Sequence, residues 1–124
     1  MNDAVRKTLL IVEDEALVAL DIEATLRTAG YAVAGIATTV AQGLAMLEAT
    51  DIDGAILDAN LFGDSVAPVA EWLRAHGVPF VVVSGYSRGQ LEPSMRDAPL
   101  LSKPISYDDL LTAVGRLVAA EHYS

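Results

Sequence analysis

Thr8-Leu-Leu-Ile-Val12 is a nearly continuous apolar run, and Glu13-Asp14 follows it directly. A short run without polar alternation is typical of a strand that is buried on both faces of a parallel sheet. The stretch from Glu15 to Ala29 then has apolar residues at mostly helical spacing, and Gly30 follows it as a helix stop. The apolar residues at these spacings are Leu17, Leu20, Ala24 and the neighbouring Ile22 and Leu26.

This strand-and-helix unit recurs along the rest of the chain. The further strands are predicted at Tyr31 to Ala37, Gly54 to Leu57, Pro79 to Val83 and Leu100 to Ser102. The further helices are predicted from Thr38 or Thr39 to about Ala49, from Ser65 to His76, as a short or mobile helix near Arg88 to Met95, and from Ser106 to Ala120. Such alternation predicts an α/β fold: a five-stranded parallel sheet with right-handed crossovers and helices on both faces. We expect the flavodoxin-like order 2-1-3-4-5, which is an (αβ)5 arrangement.

Length and composition indicate one small domain. The chain has 124 residues, of which 52% are hydrophobic, so we expect a single domain over residues 1–124 with a core of about 7–120. The sequence has no cysteine, which excludes thiolate metal sites and cysteine nucleophiles. Its net charge of -9 disfavours binding to nucleic acid. Because no targeting segment or membrane span is visible, we expect a cytoplasmic protein without a membrane partner.

Polar side chains lie where the predicted strands end. Glu13 and Asp14 end the first strand, Asp58 the third, Ser84 the fourth and Lys103 the fifth. In a doubly wound sheet the carboxyl ends of these strands are neighbours, so the side chains are expected to converge. Two carboxylates about 5 Å apart repel by roughly 3 kcal/mol at an effective dielectric near 20, and a hard divalent cation relieves this repulsion. We therefore predict a Mg²⁺ site, with Asp14 and Asp58 as direct ligands and Glu13 acting through a water molecule.

The same set of residues supports phosphoryl transfer. Lys103 offers a compact positive charge for a phosphate oxygen, Ser84 offers a hydroxyl donor, and Asp58 is the carboxylate nucleophile. Taken one at a time, these residues are ordinary, because an Asp after a strand is most often a turn former. The functional interpretation depends on their occurring together at successive strand ends.

Four segments carry a resemblance to a known family: Leu10-Ile-Val-Glu-Asp14, Ala55-Ile-Leu-Asp58, Val83-Ser-Gly85 and Ser102-Lys-Pro104. In this order and spacing they resemble a response regulator receiver domain over essentially the whole chain. The resemblance implies phosphorylation of Asp58 by a histidine kinase or phosphotransfer protein. It also implies that the backbone carbonyl of Asn60 joins the Mg²⁺ ligands, that Ser84 is the switch hydroxyl, that Lys103 senses the phosphate and that a cis bond precedes Pro104.

A narrower resemblance begins at Pro79. Pro79-Phe-Val-Val-Val-Ser-Gly-Tyr86 resembles the Pro-Phe-x-Phe-Ala-Thr-Gly-Tyr signature of the FAT GUY receivers, which are typically single-domain regulators from alphaproteobacteria, often served by kinases of the HWE class. Many receivers have a mobile aromatic ring three residues before the lysine, but here that position is Leu100. Tyr86 is therefore either a replacement switch residue or only a loop aromatic, and the sequence leaves both alternatives open.

The combined prediction is a stand-alone response regulator that is a phosphoacceptor rather than an enzyme. Its signal would leave through the face of the fourth helix, fifth strand and last helix, or it would act as a phosphate sink. It would be a monomer or a phosphorylation-dependent dimer. One alternative is a phosphohydrolase with an aspartyl-phosphate intermediate, although its best-known form has an acid where this chain has Asn60. The other is a pseudo-receiver that binds partners without being phosphorylated.

Overall fold

The computed structural model describes residues 6–61, 63–85 and 87–122. Its strands are, in chain order, β1 (Thr8–Val12), β2 (Ala32–Ala37), β3 (Gly54–Asp58), β4 (Asn60–Leu61), β5 (Asp64–Ser65), β6 (Phe80–Ser84) and β7 (Leu100–Ser102). Five of them form one parallel sheet in the order β2-β1-β3-β6-β7. Counted along the chain, this is the predicted order 2-1-3-4-5, so the flavodoxin-like fold is confirmed.

Four α-helices cover the two faces of the sheet: α1 (Ala16–Thr28), α2 (Val40–Ala49), α3 (Ala67–Ala75) and α4 (Tyr107–His122). α1 and α4 pack on one face, and α2 and α3 pack on the other. Every residue of β3 and β6 is buried, as expected for strands at the centre of a two-sided sheet. Hydroxyl groups cap two of the helices: the Thr39 hydroxyl accepts from Gln42 N at 3.1 Å, and the Ser106 hydroxyl accepts from Asp109 N at 3.3 Å.

The apolar residues of α1 do not all face the core. Ile22 and Leu26 are buried, together with Ala19, but Leu17 is 78% exposed, Leu20 is 53% exposed and Ala24 is also exposed. Residues 19, 22 and 26 form one stripe along the helix, and residues 17, 20 and 24 form a second stripe, rotated away from the first. Local spacing allowed either stripe to face the sheet, and in the structure the first one packs against it.

The fourth strand-and-helix unit has short helical structure in the predicted range, but it is divided into two segments. Two 3-10 helices, Arg88–Gln90 and Pro93–Met95, take the place of an α-helix, because Pro93 lacks a backbone donor and interrupts any longer helix. Leu91, Met95 and Ala98 are buried and hold this segment against the core. The described chain therefore has four α-helices rather than the five of an (αβ)5 arrangement.

Between β3 and α3 the chain forms a small antiparallel hairpin from β4 and β5, which the sequence did not predict. Over the ranges that the structure describes, no helix has both the length and the apolar character that a bilayer span requires.

Candidate functional site

The site lies at the carboxyl edge of the sheet, where the strand register aligns the ends of neighbouring strands. Val12 pairs with Leu57, Asp58 pairs with Val83, and Ser84 pairs with Ser102, which immediately precedes Lys103. Three acids meet here: Glu13, Asp14 and Asp58. Each offers one carboxylate oxygen, and these three oxygens lie within 4.8 Å of one another. The structure thus places all five predicted residues at one edge of the sheet. It brings together the side chains of Glu13, Asp14, Asp58 and Lys103, and Ser84 ends the strand next to that of Asp58.

These side chains are unusually buried for polar groups. Asp58 is 5% exposed, Glu13 is 1% exposed and Ser84 is 2% exposed, and they are the buried polar or charged residues within the described ranges. Asp58 Oδ1 accepts a hydrogen bond from Asn60 N at 3.2 Å. Because a buried charge is costly unless it is paired, their concentration at one edge indicates a functional site rather than packing.

Glu13 is a buried acid whose surroundings oppose its ionisation. Its Oε2 accepts from Glu15 N at 3.1 Å, but its Oε1 has no hydrogen-bond partner among the described residues. Burial, and then closeness to the Asp58 carboxylate, raise the pKa of Glu13 from 4.5 to about 8, although Glu15 N–H and Lys103 oppose this shift. A cation bound in the cluster would stabilise the ionised form of Glu13.

Lys103 is the cation that faces these acids. Its Nζ lies 3.1 Å from Asp58 Oδ2, 3.6 Å from Glu13 Oε1 and 2.9 Å from Glu15 Oε1. Burial lowers the pKa of Lys103, but hydrogen bonds to Glu15 and Asp58 outweigh it, so the pKa is raised and the ammonium stays charged. The Lys103–Pro104 peptide bond is cis in the structure.

The predicted switch residues have different positions. Ser84 is buried at the end of β6 beside the acids, whereas Leu100 is half-buried in β7 and packs on the core layer of α2 and α3. Tyr86 lies outside the described residues. Asn60 follows Asp58 closely, but its carbonyl remains a predicted ligand.

Glu15 is a residue that the sequence reasoning missed. Its only sequence signal is a third acid directly after Glu13-Asp14. In the structure its carboxylate makes the shortest ion pair of Lys103.

The family model of the response regulator receiver domain matches residues 9–115. The chain belongs to this family. It is the receiver domain of a two-component response regulator, and its fold and its acidic strand ends agree with that assignment. Receiver domains generally bind Mg²⁺ through an acidic cluster, and here Glu13, Asp14 and Asp58 supply oxygen ligands that suit such an ion.

Several known proteins resemble this receiver domain. The transcriptional regulatory protein PdtaR of Mycobacterium tuberculosis is 31% identical over 115 residues, which are 90% of this chain and 56% of PdtaR. The solution structure of SdrG from Sphingomonas melonis Fr1 is 40% identical, with a TM-score of 0.79, and covers 91% of this chain and 97% of SdrG. The crystal structure of the response regulator PhyR from Brucella abortus is 28% identical, with a TM-score of 0.84, over 96% of this chain and 50% of PhyR. The chain therefore spans about half the length of PdtaR and PhyR.

Proposed function

We propose that this receiver domain accepts a phosphoryl group on Asp58 from a histidine kinase or a phosphotransfer protein. The observation that carries the proposal is the position of Asp58, which is buried at the end of a central strand between Lys103 and the two acids that follow β1. A carboxylate oxygen of Asp58 attacks phosphorus, and the bond from phosphorus to the donor histidine nitrogen breaks. The electron pair of that bond returns to the imidazole. The domain thus acts as a phosphoacceptor that assists its own phosphorylation and dephosphorylation, rather than as an enzyme with a separate substrate.

The neighbouring residues have distinct parts in this proposal. Asp14, Asp58 and the carbonyl of Asn60 would hold Mg²⁺ directly, and Glu13 would act through a water molecule. Bound there, Mg²⁺ would supply positive charge against the phosphoryl oxygens. Lys103 donates to a phosphoryl oxygen from its place 3.1 Å from Asp58 Oδ2, and the Ser84 hydroxyl donates to another.

The phosphoryl donor is proposed to dock beside α1. Leu17 and Leu20 lie one helical turn apart and are the exposed large hydrophobic residues of the described chain. A groove of about 500 Å³ lies near the start of the same helix, and Val18, Ile105 and Tyr107 are part of its lining. This groove also borders Lys103, so a donor helix seated there would bring a phosphohistidine close to Asp58.

Output is proposed to leave from the adjacent face. Phosphorylation adds about -1.5 to -2 charge at Asp58, which attracts Ser84 and Lys103. This movement would change the conformation of the face formed by the two 3-10 helices, β7 and α4. That face corresponds to the predicted output face of the fourth helix, fifth strand and last helix. Tyr86 is proposed to contribute to the switch, since Leu100 has no aromatic ring to rotate. We propose a cytoplasmic regulator that acts by protein contact or as a phosphate sink, and that is a monomer or a phosphorylation-dependent dimer.

The test is incubation with Mg²⁺ and acetyl phosphate, followed by measurement of intact mass. We expect one phosphoryl group on the wild-type protein and none on Asp58→Asn. The solved BeF3⁻-activated conformation of SdrG, 41% identical with a TM-score of 0.76 over 90% of this chain and 95% of SdrG, supports this expectation. A folded protein that takes no phosphoryl group would favour the pseudo-receiver, and rapid hydrolysis of organic phosphate esters would favour the phosphohydrolase.

A further inference from the structure

Glu15 occupies the N-cap position of α1 but does not cap the helix. Its backbone is extended, with φ -86 and ψ 110, and its side chain makes no capping hydrogen bond. N-cap positions favour Ser, Thr, Asp and Asn, whose short side chains reach back to the first amides of the helix. The Glu15 side chain instead extends to Lys103, which is 88 residues away along the chain.

The Glu15 carboxylate is the outer contact of the Lys103 ammonium. The hydrogen bond from Nζ to Glu15 Oε1 is 2.9 Å long, and the one from Nζ to Asp58 Oδ2 is 3.1 Å long. The Glu15 side chain is 61% exposed, whereas that of Asp58 is 6% exposed. Lys103 is therefore held between a solvent-facing anchor and the buried acceptor.

We propose that Glu15 is a positioning residue that fixes the ammonium of Lys103 over Asp58 before a phosphoryl group arrives. This inference rests on the proposed phosphorylation of Asp58. A lysine side chain is a flexible stem with three donors, and ordering it costs conformational entropy. With one donor bound to Glu15, Lys103 is already ordered and keeps two donors for Asp58 and for a phosphoryl oxygen.

The location of Glu15 makes it a suitable anchor. Because its carboxylate is exposed, water screens its charge, and it repels an incoming phosphoryl group less than a buried acid would. The opposite possibility is that Glu15 competes with the phosphoryl group for Lys103. The two cases give opposite changes in rate when Glu15 is removed.

The test compares Glu15→Ala with Glu15→Gln, which keeps an oxygen acceptor but loses the charge. Glu48→Ala on α2 is the matched control, because Glu48 is also exposed and its loss also removes one negative charge. Two quantities are measured: the side-chain order of Lys103 by ¹³C relaxation at Cε, and the initial rate of phosphorylation by acetyl phosphate in saturating Mg²⁺. Denaturant unfolding checks that each variant is folded.

We expect Glu15→Ala to lower the order of the Lys103 side chain and to slow phosphorylation by about two- to five-fold, the effect of losing a partly exposed ion pair. Glu15→Gln should give an order and a rate between those of Glu15→Ala and the wild type, because it keeps the acceptor but loses the charge, and Glu48→Ala should match the wild type. In a Lys103→Met background, Glu15→Ala should have no further effect on the rate, because its partner is gone.

An unchanged Lys103 order in Glu15→Ala would overturn the proposal, and so would a faster rate in that variant or the same loss in the Lys103→Met background. If the wild-type protein takes no phosphoryl group, the proposed function fails. The order of the Lys103 side chain then still decides whether Glu15 is its anchor.

Discussion

Replacing Glu13 with Gln is expected to stabilise the metal-free protein, and the gain should grow with pH. Glu13 is buried against the Asp58 carboxylate, and its pKa is raised from 4.5 to about 8. A raised acid pKa means that the folded state holds its proton more tightly than the unfolded state does. The stability from this proton is fully present below pH 4.5 and is lost as the pH rises toward 8. Gln has nearly the same shape and an oxygen that can still accept from Glu15 N, but it has no charge to lose.

The size of the effect follows from the unfolded-state titration. Between pH 5 and pH 7 the folded protein keeps Glu13 largely protonated, while the unfolded chain ionises it. Each pH unit above 4.5 then costs the wild type about 1.4 kcal/mol of unfolding free energy. The cost amounts to about 3 kcal/mol at pH 7 and to less than about 1 kcal/mol at pH 5.

The assay is urea unfolding in EDTA at pH 5 and pH 7 for the wild type, Glu13→Gln and the exposed control Glu48→Gln. We expect Glu13→Gln to gain about 2 kcal/mol more over the wild type at pH 7 than at pH 5, and Glu48→Gln to show no such pH-dependent gain. A Glu13→Gln protein that is less stable than the wild type at pH 7, or a gain that is equal at both pH values, would refute the reasoning. The variants are compared only where the slope of unfolding free energy against urea, the m-value, is equal. A change in the unfolded state is then not mistaken for a change in stability.

Three further predictions concern the metal, a helix cap and the exposed stripe of α1. Mg²⁺ should stabilise the wild type and should release protons when it binds at pH 7, which titration calorimetry in two buffers measures. Asp14→Asn should weaken Mg²⁺ binding at least ten-fold. Equal Mg²⁺ affinity in the two proteins would contradict the assignment of Asp14 as a ligand. Thr39→Ala should lower the unfolding free energy by about 1 kcal/mol because it removes the cap of α2, whereas Thr39→Ser should be close to neutral in the same denaturation assay. A paired change of Leu17 and Leu20 to Ser should alter the unfolding free energy by less than about 1 kcal/mol, but should slow phosphotransfer from a protein donor and leave acetyl phosphate unaffected. By contrast, Leu26→Ala should lower the unfolding free energy by about 2–5 kcal/mol. If the paired change of Leu17 and Leu20 lowered it as much as Leu26→Ala, the exposed stripe would be part of the core.

The sheet and the location of the site were predictable because both depend on local sequence. A strand that is buried on both faces has to be a continuous apolar run, so β1 was predicted with the bounds that the structure has. The parallel order then places every strand end at one edge. The gathering of Glu13, Asp58 and Lys103 therefore followed from the residues that come directly after these runs.

Other features depended on contacts that local periodicity does not record. The α1 sequence has two apolar stripes, and only packing against the sheet selected the one with Ile22 and exposed the one with Leu17. The short helix expected near Arg88 to Met95 is two 3-10 helices, and the burial of Leu91 and Met95 holds them to the core without a regular α-helix.

Glu15 shows most clearly what the sequence could not predict. In the sequence it is a third acid at the start of a helix, where carboxylates are common because they favour the helix dipole. Its contact with Lys103 joins residues that are 88 positions apart, and it exists because β1 and β7 end at the same edge of the sheet. The sequence alone therefore determined which residues lie at the strand ends, because runs of hydrophobic residues predict the buried strands. The tertiary structure alone decided which of their neighbours meet, because that depends on how distant segments pack.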